Sequence, residues 1–139
     1  MADYTRSLSP RKDTFVLFGP RGTGKTTWLT KVYREAFWLD LLDHELYLAI
    51  IKNPSHLREL LGDRPVKWVV IDEIQRVPAL LNEIHYLMNR NKTLRFALTG
   101  SSARKLRREG VNLLAGRAEV VIVLPVGEFL QMLHAGRLF

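Results

Sequence analysis

The stretch Gly19-Pro20-Arg21-Gly22-Thr23-Gly24-Lys25-Thr26-Thr27 fits G-x-x-x-x-G-K-[ST], a glycine loop that cradles phosphate. Its flanks give the pattern its meaning. Ahead of it, Thr14-Phe15-Val16-Leu17-Phe18 is a short apolar, β-branched and aromatic run that predicts a buried strand. Behind it, Trp28, Leu29, Val32, Tyr33, Ala36 and Phe37 recur at helical spacing and predict a helix opening near Lys25. In such a unit the glycines let successive backbone N–H groups converge on an anion. The orphan donors and positive dipole end of the following helix add to that attraction. Lys25 is expected to reach the β- and γ-phosphates, and the Thr26 hydroxyl to ligate Mg2+. The competing reading, a glycine-rich turn with a chance Gly-Lys-Thr, is weakened by the rest of the chain.

Further along, Phe37-Trp38-Leu39-Asp40-Leu41-Leu42-Asp43 suits either an extension of that helix or a second strand, and periodicity does not separate the two. Residues 44–51 read as helical. Asn53-Pro54 predicts a helix start, with Asn as N-cap and Pro at the first helical position, and Gly62 stops that helix. Val66 to Ile71 predicts a strand, apolar throughout its second half like a parallel strand covered on both faces, with Asp72-Glu73 at its end. Pro78 opens a helix that carries Leu80, Leu81, Ile84, Leu87 and Met88 on one face. Leu94 to Thr99 is the next strand, stopped by Gly100. Ser101 and Ser102 cap a helix running through Leu106, broken near Gly110. Glu119 to Leu124 is the final strand, and Gly127 to Leu133 a short amphipathic helix. Strands alternating with helices predict a parallel α/β sheet, whose ligand site lies beyond the carboxyl ends of its strands. The glycine loop, Asp72-Glu73 and Thr99 all fall at such ends.

These positions suggest a division of labour. Asp72 follows an apolar strand, as the aspartate that holds Mg2+ in phosphate-loop proteins does, and Glu73 is placed to polarise a water for attack on the γ-phosphate. Thr99 is expected to hydrogen-bond the γ-phosphate or that water. Arg117, between Gly116 and Ala118, is expected to project into the nucleotide of a neighbouring subunit, which makes a homo-oligomer an expected partner. Such an arginine contributes about 10³–10⁵ in rate. Arg21 either contacts phosphate or braces the loop. Arg104, Lys105, Arg107 and Arg108 form a basic cluster that reads as a solvated face, with nucleic acid as the weaker alternative, since no aromatics are interleaved for base stacking.

Composition bounds the rest. With 139 residues, 47% hydrophobic and 25% charged, the chain is expected to fold as one globular core over 14–139, preceded by a polar arm at 1–13. There is no cysteine, hence no disulfide framework or thiolate metal site, and the four histidines lack a ligand spacing. No apolar run is long enough to span a membrane and the start is no secretory signal, so a cytoplasmic protein is expected. The formal charge of +7 suits a polyanion such as a nucleotide triphosphate.

With these residues assembled, the chain resembles an AAA+ ATPase, more narrowly the prokaryotic group that usually carries an uncharacterised C-terminal domain. The resemblance is carried by residues 19–27, by Val69-Val70-Ile71-Asp72-Glu73-Ile74-Gln75, by Leu98-Thr99-Gly100-Ser101-Ser102 and by Leu114-Ala115-Gly116-Arg117, with Leu124-Pro125-Val126-Gly127-Glu128-Phe129-Leu130 after them. It implies a three-layer α/β/α phosphate-loop core with a parallel sheet in the order 5-1-4-3-2. It also implies Walker A roles for Lys25 and Thr26, Walker B roles for Asp72 and Glu73, the sensor position for Thr99 and a finger-like position for Arg117. Gln75 belongs to the motif without a role. The group's helical lid and further domain are absent from this sequence, which ends at Phe139. The expected alternatives are a truncated gene product, an excised domain or a stand-alone core, and loss of the lid puts tight nucleotide binding and turnover in question. The expected activity is ATP hydrolysis with Mg2+, coupled to work on an unknown partner. The alternative is a non-hydrolysing nucleotide- or DNA-binding module. A small-molecule kinase fits Asp72-Glu73-Ile74-Gln75 less well, and a GTPase lacks the aspartate that should follow Asn91-Lys92.

Overall fold

The computed structural model describes residues 10–20, 24–101, 118–126 and 129–134. At its centre is β1 (Phe15–Phe18), every residue of which is buried. β1 pairs in parallel with β4 (Arg95–Gly100) on one side and β5 (Glu119–Val126) on the other. Beyond β4 lie β3 (Trp68–Asp72) and β2 (Phe37–Asp40), both parallel to it. The five parallel strands thus follow the expected order 5-1-4-3-2, and Phe37–Asp40 takes the strand alternative.

Helices cover both faces, because alternate strand residues point to opposite sides. Phe15, Leu17, Val70, Ala97 and Val121 face α1 (Lys25–Val32), where Trp28 and Leu29 are buried. Phe15, Trp28, Tyr33 and Trp68 form an aromatic cluster here, with Tyr33 and Trp68 ring centroids 4.6 Å apart. Val16, Phe18, Val69, Ile71, Phe96, Leu98 and Val120 face the other way, against α2 (His44–Lys52), α3 (His56–Leu61) and α4 (Leu80–Arg90). Leu80, Leu81 and Ile84 of α4 are fully buried on that side, while Leu87 and Met88 pack at its margin. Each such buried aliphatic side chain contributes about 1.5–3 kcal/mol.

Two expectations need correction. The segment read as a helix over Gly127 to Leu133 contains instead a sixth strand, β6 (Phe129–His134), antiparallel to β5. Phe129, Leu130, Met132 and Leu133 have helical spacing, but the outer edge of β5 offers a row of backbone donors and acceptors that a returning strand satisfies. The pairing runs from Val121 with His134 to Val126 with Phe129. The second correction concerns α3, which begins at His56, two residues later than expected. Asn53 Oδ1 does accept from the Ser55 N–H at 3.2 Å, but the next bonds, His56 N–H to Asn53 and Leu57 N–H to Pro54, span three residues rather than four.

The last residues of the N-terminal arm are anchored. The Arg11 N–H donates to the Tyr33 hydroxyl at 2.8 Å, and Asp13 lies 3.3 Å from the Arg95 guanidinium. Thr14 then clasps two strands at once: its Oγ1 accepts from Phe96 N–H at 3.1 Å and its carbonyl from Glu119 N–H at 3.2 Å. The helix expected from Ser102 through Leu106 and the basic cluster at 104–108 lie outside the described residues, and among the described residues no helix is long and apolar enough to cross a membrane.

Candidate functional site

The C-terminal ends of β1, β3 and β4 carry the polar groups singled out above. Leu17 is in register with Thr99 and Phe18 with Gly100, so the start of the glycine loop lies beside the end of β4. Gly19 N–H donates to the Gly100 carbonyl at 3.2 Å. Gly24 is the N-cap of α1, with φ 86° and ψ 13°, a left-handed conformation that glycine adopts without steric cost. Among the described residues no side chain caps the helix there and no acidic residue stands in its first turn, so its leading N–H groups and dipole would attract an anion. Lys25 is buried. Its ammonium donates to the carbonyls of Gly19, Pro20 (3.3 Å) and Gly100 (3.4 Å), which tie loop and β4 together. Thr26 and Thr27 follow on the exposed first turn. Arg21, Gly22 and Thr23 lie outside the described residues, as does Arg117.

Across from the loop, Asp72 and Glu73 meet Thr99. The Thr99 hydroxyl is fully buried, donates to Asp72 Oδ1 and accepts from Glu73 N–H at 3.0 Å. A hydroxyl has one proton, and here it goes to Asp72. Burial pushes the Asp72 carboxyl above its ordinary value. The Thr99 bond pulls back, Glu73 and Asp40 add to the rise, and Lys25 lowers it. The half-buried Asp72 carboxylate and the hydroxyl of the exposed Thr26 are hard oxygen donors of the kind that Mg2+ takes. Among the described residues there is no cluster of three or more metal-binding side chains.

Two further residues belong to this cluster. Gln75 and Ser101 both bond the Glu73 carboxylate. Gln75 Nε2 donates to Glu73 Oε1, and Ser101 Oγ donates to the same oxygen at 3.0 Å. The signal for Ser101 was present in the sequence. It follows Thr99 by two, and a strand returns to the same side every second residue. Gly100 between them has a packing reason: a Cβ there would lie 2.8 Å from Gln75 Oε1 and 3.0 Å from the Phe18 ring.

The comparisons agree with this fold. The fold is similar to that of a KaiC-like protein, PH0186, from Pyrococcus horikoshii OT3, with a TM-score of 0.59 and 16% identity over 93% of this chain and 81% of that one. Two AAA-ATPases of Arabidopsis thaliana, At3g28510 and At3g28540, are each 36% identical over 72 residues. That alignment takes in 51% of this chain but only 13% and 14% of theirs. A family model described as an AAA domain matches residues 11–130. With nearly the whole described fold inside that match, the chain belongs to the AAA domain family and is built on a P-loop ATPase core.

Proposed function

We infer that the chain binds ATP at the loop following β1 and hydrolyses it with Mg2+. The observation that carries this reading is the hydrogen-bonded convergence of Lys25, Asp72, Glu73 and Thr99 at the ends of three neighbouring strands. In this reading residues 19–27 wrap the phosphates, and Lys25 exchanges its carbonyl partners for β- and γ-phosphate oxygens. Thr26 Oγ1 and Asp72 would hold Mg2+, which when bound neutralises charge on those oxygens. Glu73 orients the attacking water and takes its proton. Thr99 steadies both acids, and it reaches the γ-phosphate or the water only by giving up its bond to Asp72. Arg117 of a neighbouring copy completes the site, and hydrolysis drives conformational work on a partner. A site made for ATP also suits a cytoplasmic protein.

Steady-state ATP hydrolysis against protein concentration, with Mg2+ and a Glu73→Gln control, tests the reading. Per-chain activity that climbs with concentration and vanishes in the control is expected. ATP binding that survives Lys25→Ala unchanged would rule the site out.

A further inference from the structure

Gln75 is buried and holds the site's proposed base. The turn Ile74–Arg76 directly after Glu73 brings the amide back onto the carboxylate of its neighbour two residues earlier. Gln75 Nε2 donates to Glu73 Oε1 and lies 3.3 Å from Ser101 Oγ, which itself donates to Oε1. The three side chains close a ring around one carboxylate oxygen.

The orientation of the amide is not arbitrary. Turned over, it would aim its own oxygen at the carboxylate, so the carboxylate selects the direction in which it points. The consequence is that Gln75 Oε1 is buried with no hydrogen-bond partner among the described residues. An unpaired buried amide oxygen weakens a fold, and an apolar side chain of the same length would fill this space without that cost. What the glutamine adds is its grip on Glu73.

Glu73 needs holding. Its backbone lies at φ 62° and ψ 51°, and it is the only non-glycine residue with positive φ among those described. Such a conformation persists when surrounding contacts over-determine it. The Thr99 hydroxyl secures its N–H, and Gln75 with Ser101 secures its carboxylate.

We propose that Gln75 is the positioning residue of this site: with Ser101 it holds the Glu73 carboxylate in the orientation from which it acts on the attacking water. The proposal rests on the role given to Glu73 above. Side-chain misplacement of about 1 Å is enough to cost roughly a hundredfold in rate.

The test uses the full chain and compares wild type, Gln75→Met, Ser101→Ala and Ser101→Thr. It reads kcat and KM for ATP with Mg2+, and affinity for ADP with and without aluminium fluoride, whose complex mimics the transferring phosphate and its oriented water. Gln75→Met is expected to lower kcat by roughly ten- to a hundredfold while leaving KM and ADP affinity nearly unchanged. It also loses the extra affinity that aluminium fluoride adds. Ser101→Ala shows the same split more weakly and keeps the test alive should Gln75→Met fail to fold, and Ser101→Thr, which retains the hydroxyl, restores the rate. Wild-type or faster turnover in Gln75→Met overturns the proposal and leaves the ATPase reading standing. A wild-type chain that neither hydrolyses ATP nor binds ADP more tightly with aluminium fluoride overturns both.

Discussion

Asp72 shows how this site sets function against stability. Its carboxyl sits above its ordinary value because the fold buries it. Between the unfolded and folded values the folded chain binds more protons, so folding weakens as pH rises through that window. At neutral pH the ionised Asp72 is therefore a net cost to the protein without ligand. Asp72→Asn keeps an oxygen for the Thr99 proton and removes the charge. It is expected to melt at a higher temperature than wild type without ligand, and to lose the rise in melting temperature that Mg2+ with nucleotide produces in wild type. A lower melting temperature in the absence of ligand would contradict this account. Gly100→Ala places a methyl against Gln75 and Phe18 and is expected to destabilise by about 1–3 kcal/mol, measured by denaturant unfolding. It should also slow ATP turnover by displacing the amide. The placement of Lys25, Asp72 and Glu73 around the strand ends was legible in the sequence because their motif spacing carries its own mechanism. Gln75 was not, because its partner is revealed only when the short turn after β3 folds it back. The bond from Ser101 to Glu73 was not legible either, because a serine after a strand is equally at home as a helix cap.

Among the elements, the strands were read more securely than their borders. β1, β3 and β4 are continuous apolar runs ending in a polar residue or glycine, a pattern with few competing interpretations. Phe37–Asp40 stayed open because four residues are too few to distinguish a strand from the end of a helix, and pairing with β3 decided it. β6 was misread for the reverse reason: its local spacing favoured a helix, and the demand for a partner came from another strand. Thr14 is the joint between elements. Its hydroxyl satisfies the buried Phe96 N–H, and Thr14→Val preserves shape while leaving that donor unpaired. A loss of about 1–3 kcal/mol is expected in equilibrium unfolding. A change of no more than about 0.3 kcal/mol would show that the hydroxyl bond to Phe96 contributes nothing.

Taken together, the sheet separates two jobs. The aromatic cluster under α1 backs the phosphate loop on one face, and the aliphatic core under α2, α3 and α4 supports the acidic strand end on the other. A ligand bound across these strand ends to the folded chain alone stabilises both halves. ATP with Mg2+ at a hundredfold excess over its Kd is expected to add about 2.7 kcal/mol to unfolding, and Lys25→Ala to abolish that gain. The order of the strands has a further consequence, in time rather than in space. β1 is made first, yet its two neighbours are β4 and β5, and the Thr14–Phe96 bond already spans 82 residues. During synthesis its apolar residues wait with both edges bare until residues 119–126 exist. Pairing of this long range is slow and prone to aggregation. A nascent chain stopped before Glu119 should therefore be protease-sensitive and adhere to chaperones, because the strand that launches the phosphate loop is the first to be translated and among the last to be enclosed.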